Sequence, residues 1–443
     1  MRSLSIALIS MLAVAGVVGR LTTQQERPDL VAAGTTPPSC QVRTPEIAGP
    51  APSLLATELP DGTLVLGGTY VRGGDMVTVL HAVLPDCRPA RDFGVHGTAT
   101  VTLATHSAPA VINVIQATPG GTVLLAGGVG PDVLVGRLLP DGHLDATFGT
   151  SGWARLGSPV KPPKGMFSGP AVTSMTLGPS ETVYLGGNDG AAHCCVEDFV
   201  GALSSGGRLE RSFGDHGWAV LPPLAGSYQT DVFAVHGGLL VMGFVMYTGC
   251  GGPVLARLGT SGHPDQAFAQ ATRRAVATAS RDYALLPTMY LRRGGAFALV
   301  GDLMPSGCLL HMPKPVDHGL ALGFLPDGHV DPTFGANGKT GLPPDGSAGS
   351  WAVPRPDGST FVITEQVPAG ARDGQPRALK VRELSAAGRL ERSFGLSGTT
   401  TIDLSWASTP NSYPAIAAMP AAGDSAVVVV AAGQRAKIYQ VEH

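Results

Sequence analysis

Charge is scarce in this chain. Asp, Glu, Lys and Arg make up 14% of its 443 residues, well under the roughly 25% usual for soluble proteins. The net charge is −3 and no basic run stands out, which excludes the electrostatic footprint of a nucleic-acid binder. Local catalytic signatures are missing too. There is no Gly-x-Ser-x-Gly elbow, no His-Glu-x-x-His and no phosphate loop, so any active site would have to be assembled from residues far apart in the chain. No Cys-x-x-Cys pair occurs, and past residue 20 no apolar run reaches the ~20 residues a membrane helix needs. No helical pattern is read within the repeating unit. What the chain has in quantity is Gly (61) and Pro (37), the residues of many tight turns.

The N-terminus has the layout of an export signal. Arg2 precedes an apolar run from Leu4 to Leu12, and Ala13-Val14-Ala15 or Val17-Val18-Gly19 offers a small-x-small cleavage site. Residues 1–20 are therefore expected to be a signal peptide, or a short N-terminal anchor if uncleaved. Residues 21–39 are expected to be a polar linker, and 40–443 the folded domain.

One motif comes round six times, most fully as Leu139-Pro140-Asp141-Gly142-His143-Leu144-Asp145-Ala146-Thr147-Phe148-Gly149. Its aromatic falls at Phe93, Phe148, Phe213, Phe268, Phe334 and Phe394, at intervals of 55, 65, 55, 66 and 60 residues. Such a period means one supersecondary unit repeated. Between the motifs lie strand–turn–strand segments ending in small residues, among them Thr63 to Gly68, Thr122 to Gly128, Thr182 to Gly187 and Ala426 to Val430. They number seven. Asp-Gly or Gly-Gly pairs such as Asp61-Gly62 and Gly120-Gly121 precede most of them, as two-residue hairpins demand. With one more strand on each side, a period holds four short strands, and their continuous apolar runs fit burial on both faces. The architecture this predicts is all-β, a seven-bladed β-propeller of four-stranded antiparallel blades. The seventh unit ends at Lys437 to Val441 without a Phe-Gly motif. The first lacks a strand ahead of Ser53 unless Gln41-Val42-Arg43 supplies one, so the register of ring closure stays open.

These motifs resemble the delta-60 repeat, a Pro-Asp-Gly hairpin joined to Asp-Gly-x-x-Asp-x-x-Phe-Gly-x-x-Gly. Pro60-Asp61-Gly62 with Gly67-Gly68 matches it, as do Asp141-Gly142, Asp145, Phe148-Gly149 and Gly152, and Asp327-Gly328, Asp331, Phe334-Gly335 and Gly338. The resemblance implies a bacterial, exported, propeller-like repeat protein and carries no settled activity. Several copies depart from it: the first acid is Gly206, Ser261 or Ala387 in three of them, and the fourth reads Phe268-Ala269.

Several residues are candidates for more than architecture. Asp-Gly-x-x-Asp spacing suits calcium, best at Asp141/Asp145 and Asp327/Asp331, yet Asp equally accepts backbone N–H groups in turns while the Phe plugs the gap between blades. No other cofactor is expected. Six cysteines in an exported chain favour disulfides: Cys40 with Cys87, pinning the first blade, and Cys250 with Cys195 or Cys308. The run from His193 to Asp198, holding Cys194 and Cys195, could with His311 bind a transition metal instead. His143, His263 and His329 share one turn position and read as solvated surface. Trp153 and Trp218 occupy equivalent positions and read as interblade packing, while Trp351 and Trp406 are the aromatic candidates for a carbohydrate platform. The function expected is an exported, monomeric binding or scaffold module at the cell surface or envelope, contacting a glycan, a cell-wall component or a protein. The competing readings are a polysaccharide hydrolase or lyase with carboxylates at the central channel, and a purely structural surface protein.

Overall fold

The computed structural model describes residues 37–43, 54–72, 75–103, 110–160, 170–189, 197–221, 227–245, 253–279, 283–305, 319–343, 350–367, 377–407, 414–421 and 423–443. The expected export segment 1–20 lies outside them, as do residues 21–36 of the linker.

Strand β1 (Ser39–Arg43) opens the fold. Blade 1 follows, with β2 (Leu55–Glu58), β3 (Leu64–Arg72), β4 (Asp75–Val83) and β5 (Thr98–Leu103). Blade 2 is β6 (Ala110–Ala117), β7 (Val123–Val129), β8 (Asp132–Leu138) and β9 (Trp153–Gly157). Blade 3 is β10 (Ala171–Leu177), β11 (Val183–Asn188), β12 (Asp198–Leu203) and β13 (Trp218–Val220). Blade 4 has three strands, β14 (Ser227–Val235), β15 (Gly238–Val245) and β16 (Pro253–Gly259), and then helix α1 (Gln266–Ala279). Blade 5 is β17 (Tyr283–Leu291), β18 (Phe297–Pro305), β19 (Gly319–Phe324) and β20 (Lys339–Leu342). Blade 6 is β21 (Ser350–Pro354), β22 (Thr360–Gln366), β23 (Ala378–Leu384) and β24 (Thr400–Asp403). Blade 7 takes β25 (Ala415–Pro420), β26 (Ala426–Ala432) and β27 (Arg435–Val441) from the C-terminus. Every sheet is antiparallel with sequential neighbours, save that β1 joins β27 at the outer edge of blade 7. First strands touch in series around the ring, β2 on β6, β6 on β10, β10 on β14, β17 on β21 and β21 on β25, and β25 returns to β2. The protein is a seven-bladed β-propeller, as its repeat predicts.

The core is not central. Buried side chains fall into seven clusters, each between two successive blades; one joins blades 6 and 7 through Phe361, Ile363, Val428 and Tyr439, another joins blades 7 and 1 through Val429, Ala431, Leu64 and Leu66. A blade is thus a two-faced wedge, and the third strands β12 and β19 are buried at every position. That is why the strands read as continuous apolar runs rather than alternating ones.

Two expectations need correction. The Asp-Gly turns are not two-residue hairpins. At Leu59 to Thr63 and Leu139 to His143 the chain makes a type I turn, the Gly62 and Gly142 N–H groups donating to the Leu59 and Leu139 carbonyls at 2.9 Å. Only the glycine then takes positive φ, 83° and 79°, as a G1 bulge. The aspartate stays in the ordinary region and its Oδ1 accepts the N–H two residues on, from Thr63 at 2.9 Å and His143 at 3.0 Å. Second, among the described residues blade 4 shows three strands and a helix where the other blades show four strands. Five motif copies place a glycine after the aromatic at φ of 55–56° (Gly94, Gly149, Gly214, Gly335 and Gly395), and this left-handed residue bends the chain back toward the outer strand. Ala269 resists that conformation. Its N–H donates to the Asp265 carbonyl at 3.2 Å instead, an α-helical bond, and an alanine-rich run continues the helix. Phe268, Thr272 and Ala275 form its buried face, and Asp265 Oδ1 caps its start by accepting from the Ala267 and Phe268 N–H groups at 3.0 and 3.1 Å.

Candidate functional site

The repeat motif acts as a latch between blades. Phe93, Phe148, Phe213, Phe268, Phe334 and Phe394 are all nearly inaccessible, and five of the rings lie on the turn glycine of the next blade. A Cβ on Gly142, Gly207, Gly262, Gly328 or Gly388 would stand 2.2–3.1 Å from the ring of Phe93, Phe148, Phe213, Phe268 or Phe334 respectively. Four of the following glycines complete the latch through their N–H groups: Gly94 to the Asp141 carbonyl (2.6 Å), Gly149 to Gly206 (3.0 Å), Gly214 to Ser261 (2.8 Å) and Gly335 to Ala387 (2.7 Å). The acceptor is the backbone carbonyl at the first acidic position, not its side chain. That accounts for the freedom of this position to be Asp, Gly, Ser or Ala.

The carboxylates brace the turns. Asp141 and Asp327 take the N–H of His143 (3.0 Å) and His329 (3.1 Å), with the imidazole Nδ1 of each 3.2 Å away. Those backbone bonds hold both carboxyls below the ordinary range. Asp145 accepts the Thr147 hydroxyl (2.6 Å) and N–H (2.9 Å) and pairs with Arg137 Nε at 2.8 Å. The hydroxyl, the N–H and the guanidinium together hold its carboxyl low against the opposing effect of burial. For Asp331 burial is the largest influence and pushes upward, but the Thr333 hydroxyl and Arg292 outweigh it and its carboxyl too is lowered. Arg137 lies 4.9 Å over Phe148 and donates to the Ser205 carbonyl of blade 3; Arg292 lies 4.7 Å over Phe334 and donates to the Ala386 carbonyl of blade 6. Arg355 repeats the pattern with Glu383, Phe361 and the Asp424 carbonyl of blade 7. These arginines carry no motif of their own and precede their acids by 8, 39 and 28 residues, so no shared spacing marks them. The calcium candidates lie on separate blades, 2 and 5, and among the described residues no three His, Cys, Asp or Glu side chains form a metal-sized group.

Cys40 and Cys87 form a disulfide with Cα atoms 6.1 Å apart. It spans two blades rather than pinning one, because Cys40 sits on β1 in blade 7. Cys87 occupies the position of Gly142 in the motif turn, with φ of 69°. Blade 7 has no Phe-Gly corner to press on that turn, and the disulfide stands in its place at the seam. Cys194, Cys195, Cys250 and Cys308, with His193 and His311, lie outside the described residues.

Trp153 and Trp218 pack over Gly136 and Gly201 of the neighbouring strand, facing the preceding blade. Trp351 and Trp406 are half-buried at the blade 6–7 interface. The indole N–H of Trp406 donates to Tyr439 Oη at 3.1 Å, and Lys437 Nζ stands 5.0 Å from the ring centre. Burial pushes the Tyr439 phenol up to about 12, with the Trp406 bond opposing it. In the inner ring, hydroxyls stitch first strands together: Thr173 and Ser174 donate to the Thr230 carbonyl at 2.9 and 2.7 Å, and Thr288 donates to the Ser350 carbonyl at 2.6 Å. Among the described residues no helix is long and apolar enough to cross a membrane.

No family model matches the chain, and neither does any curated protein sequence. Solved structures of similar architecture include the polysaccharide lyase Uly1, 8% identical over 89% of this chain and 90% of that one with a TM-score of 0.45. Another is the GH93 alpha-L-arabinofuranosidase of Fusarium graminearum in complex with arabinobiose, 11% identical over 91% and 97% with a TM-score of 0.43. A third is the alpha-L-arabinanase of Penicillium chrysogenum complexed with arabinobiose, 12% identical over 74% and 92% with a TM-score of 0.40. At such identities the likeness is one of architecture and says nothing of chemistry.

Proposed function

We propose that this chain is an exported binding module of the delta-60 repeat kind, whose ligand is a glycan or another cell-wall component. The observation that carries the reading is an asymmetry between the two faces of the ring. On one face the link between first and second strands is five residues in six of the seven blades, as from Glu58 to Leu64 or Ala117 to Val123. The outer links on that face carry the latch. On the other face, the link between second and third strands runs from two residues (Val129 to Asp132) to thirteen (Pro305 to Gly319). A uniform scaffold with unequal connections on one side is how rigid folds present recognition loops. Trp351 near the start of β21 and Trp406 just beyond β24 lie toward that unequal side and supply aromatic surface. Export rests on the arrangement of residues 1–20.

Thermal unfolding of the secreted, oxidised protein against polysaccharides, wall fragments and divalent ions tests the reading, since a ligand of the folded state alone raises the midpoint. A polysaccharide should raise it, and Trp406→Ala should reduce the rise. Shortened product in the same mixture would move the protein from binder to polysaccharide-acting enzyme. Absence of a shift with every polysaccharide and wall fragment would overturn the reading in favour of a protein partner or a structural role.

A further inference from the structure

Arg257 on β16 stands where Arg137 stands on β8. In both blades the N–H of the second motif acid donates to the arginine carbonyl, Asp145 to Arg137 at 2.9 Å and Asp265 to Arg257 at 2.8 Å. Both guanidinium groups also reach the same turn position of the next blade, the Ser205 carbonyl at 2.6 Å and the Pro326 carbonyl at 3.2 Å. There the likeness ends. Arg137 engages the Asp145 carboxylate through Nε and Nη2. Asp265 Oδ1 accepts the Ala267 and Phe268 N–H groups, much as Asp145 Oδ1 accepts that of Thr147, but Arg257 pairs with no carboxylate among the described residues.

Beside Arg257 a cleft of about 540 Å³ opens between blades 4 and 5, on the face of the uniform turns. Its hydrocarbon wall is Val235, Leu240 and Pro326, and His236 and the Gly294-Gly295 turn complete it. A Cβ on Gly294 would meet nothing within 4 Å, so the turn leaves the mouth open. The neighbouring charges do not neutralise Arg257. Arg293, next along the turn, is itself a cation and donates to the Pro356 carbonyl at 2.8 Å, while Asp327, beyond Pro326, is occupied by His329. A planar cation presenting a two-pronged donor edge selects a carboxylate, and the apolar wall selects a hydrocarbon body behind it.

We propose that this cleft binds an organic monocarboxylate, its two oxygens on Nε and Nη2 of Arg257 and its apolar body on Val235, Leu240 and Pro326. The site is separate from the loop face and does not depend on the ligand proposed there. The test uses the full oxidised protein with 4-methylpentanoate, its amide and galacturonate, followed by saturation-transfer NMR and by the arginine Nε–H resonance that disappears in Arg257→Gln. The acid should bind and shift that resonance. The amide, and the acid on Arg257→Gln, should bind at least about tenfold more weakly, the scale of hydrogen bonds to charged groups. Preference for galacturonate over 4-methylpentanoate would overturn the apolar half of the proposal, because the wall of Val235, Leu240 and Pro326 should favour the hydrocarbon body. Because Arg257→Gln also removes a bond across the blade seam, Val235→Phe provides a second variant that fills the cleft and leaves Arg257 in place; it should weaken binding to a similar degree. Unchanged binding in either variant, or no carboxylate binding at millimolar concentration, would overturn the proposal.

Discussion

The ring of Phe148 is fully buried against Gly207 of the following blade, so the latch can be dissected one side chain at a time. Phe148→Ala should cost about 3–5 kcal/mol in urea unfolding, the usual loss for a buried aromatic. Gly207→Ala should cost about 2 kcal/mol, since its Cβ would meet the ring at 2.8 Å from a backbone with φ of 79° and both overpacking and left-handed strain oppose it. Asp141→Ala should cost well under either, because the latch uses the Asp141 carbonyl and only the turn bond to His143 is lost. The lowered carboxyls of Asp145 and Asp331 carry a pH dependence. They bind protons more weakly in the folded chain than in the unfolded one, where aspartate titrates near 3.9. Their contribution is therefore complete above that pH and disappears as pH falls through the folded values. Urea midpoints of the double variant Asp145→Asn/Asp331→Asn should show a shallower decline below about pH 4 than the parent.

At the scale of elements, α1 is the place where one residue changed a strand-bearing corner into a helix. Asp265→Ala removes the cap of that helix and should destabilise it by about 1 kcal/mol, read as faster amide exchange from Ala267 to Ala275 with blades 1 and 2 unaffected. Strands were legible because burial on both faces gives unbroken apolar runs, as at Val123 to Ala126. The turns were legible from Asp-Gly, and their type was written there too: Pro60 and Pro140 fix their own φ negative at the first central position of a type I turn, which leaves only the glycine to turn left. The helix was written in the sequence as well. The substitution Phe268-Ala269 and the spacing of Phe268, Thr272, Ala275 and Val276 both mark it, but the strength of the repeat masks a single departure from it. The braces around the motif acids were not legible, because Arg292 and Arg355 follow first strands and Arg137 lies in a third strand, and only folding brings all three beside a motif aromatic or its equivalent.

For the whole molecule, the seam between blades 7 and 1 decides whether the ring stays closed. It combines β1 on β27, registered from Ser39 against Tyr439 to Arg43 against Arg435, with the Cys40–Cys87 disulfide. The bridge joins residues 47 apart in sequence, and closing a loop of that length is worth about 4 kcal/mol on chain-entropy grounds. Cys40→Ser/Cys87→Ser should lower the unfolding free energy by about that much, with β1 the first strand to lose amide protection. Reductant should lower the parent by at least as much, and any further loss in the variant would report the bridge expected at Cys250. The sequence by itself determined the number of blades, the four-strand unit that six of them show and the places of the turns, because hairpin geometry and two-sided burial are local demands written within one period. It also named Cys40 and Cys87 as partners. Only the tertiary structure decided that β1 completes the last blade rather than the first, that the bridge takes the place of a missing Phe-Gly latch, and that Arg257 is left without the carboxylate its counterpart holds. Each depends on which blade lies beside which, and strand pairing across hundreds of residues leaves no periodic trace in the chain.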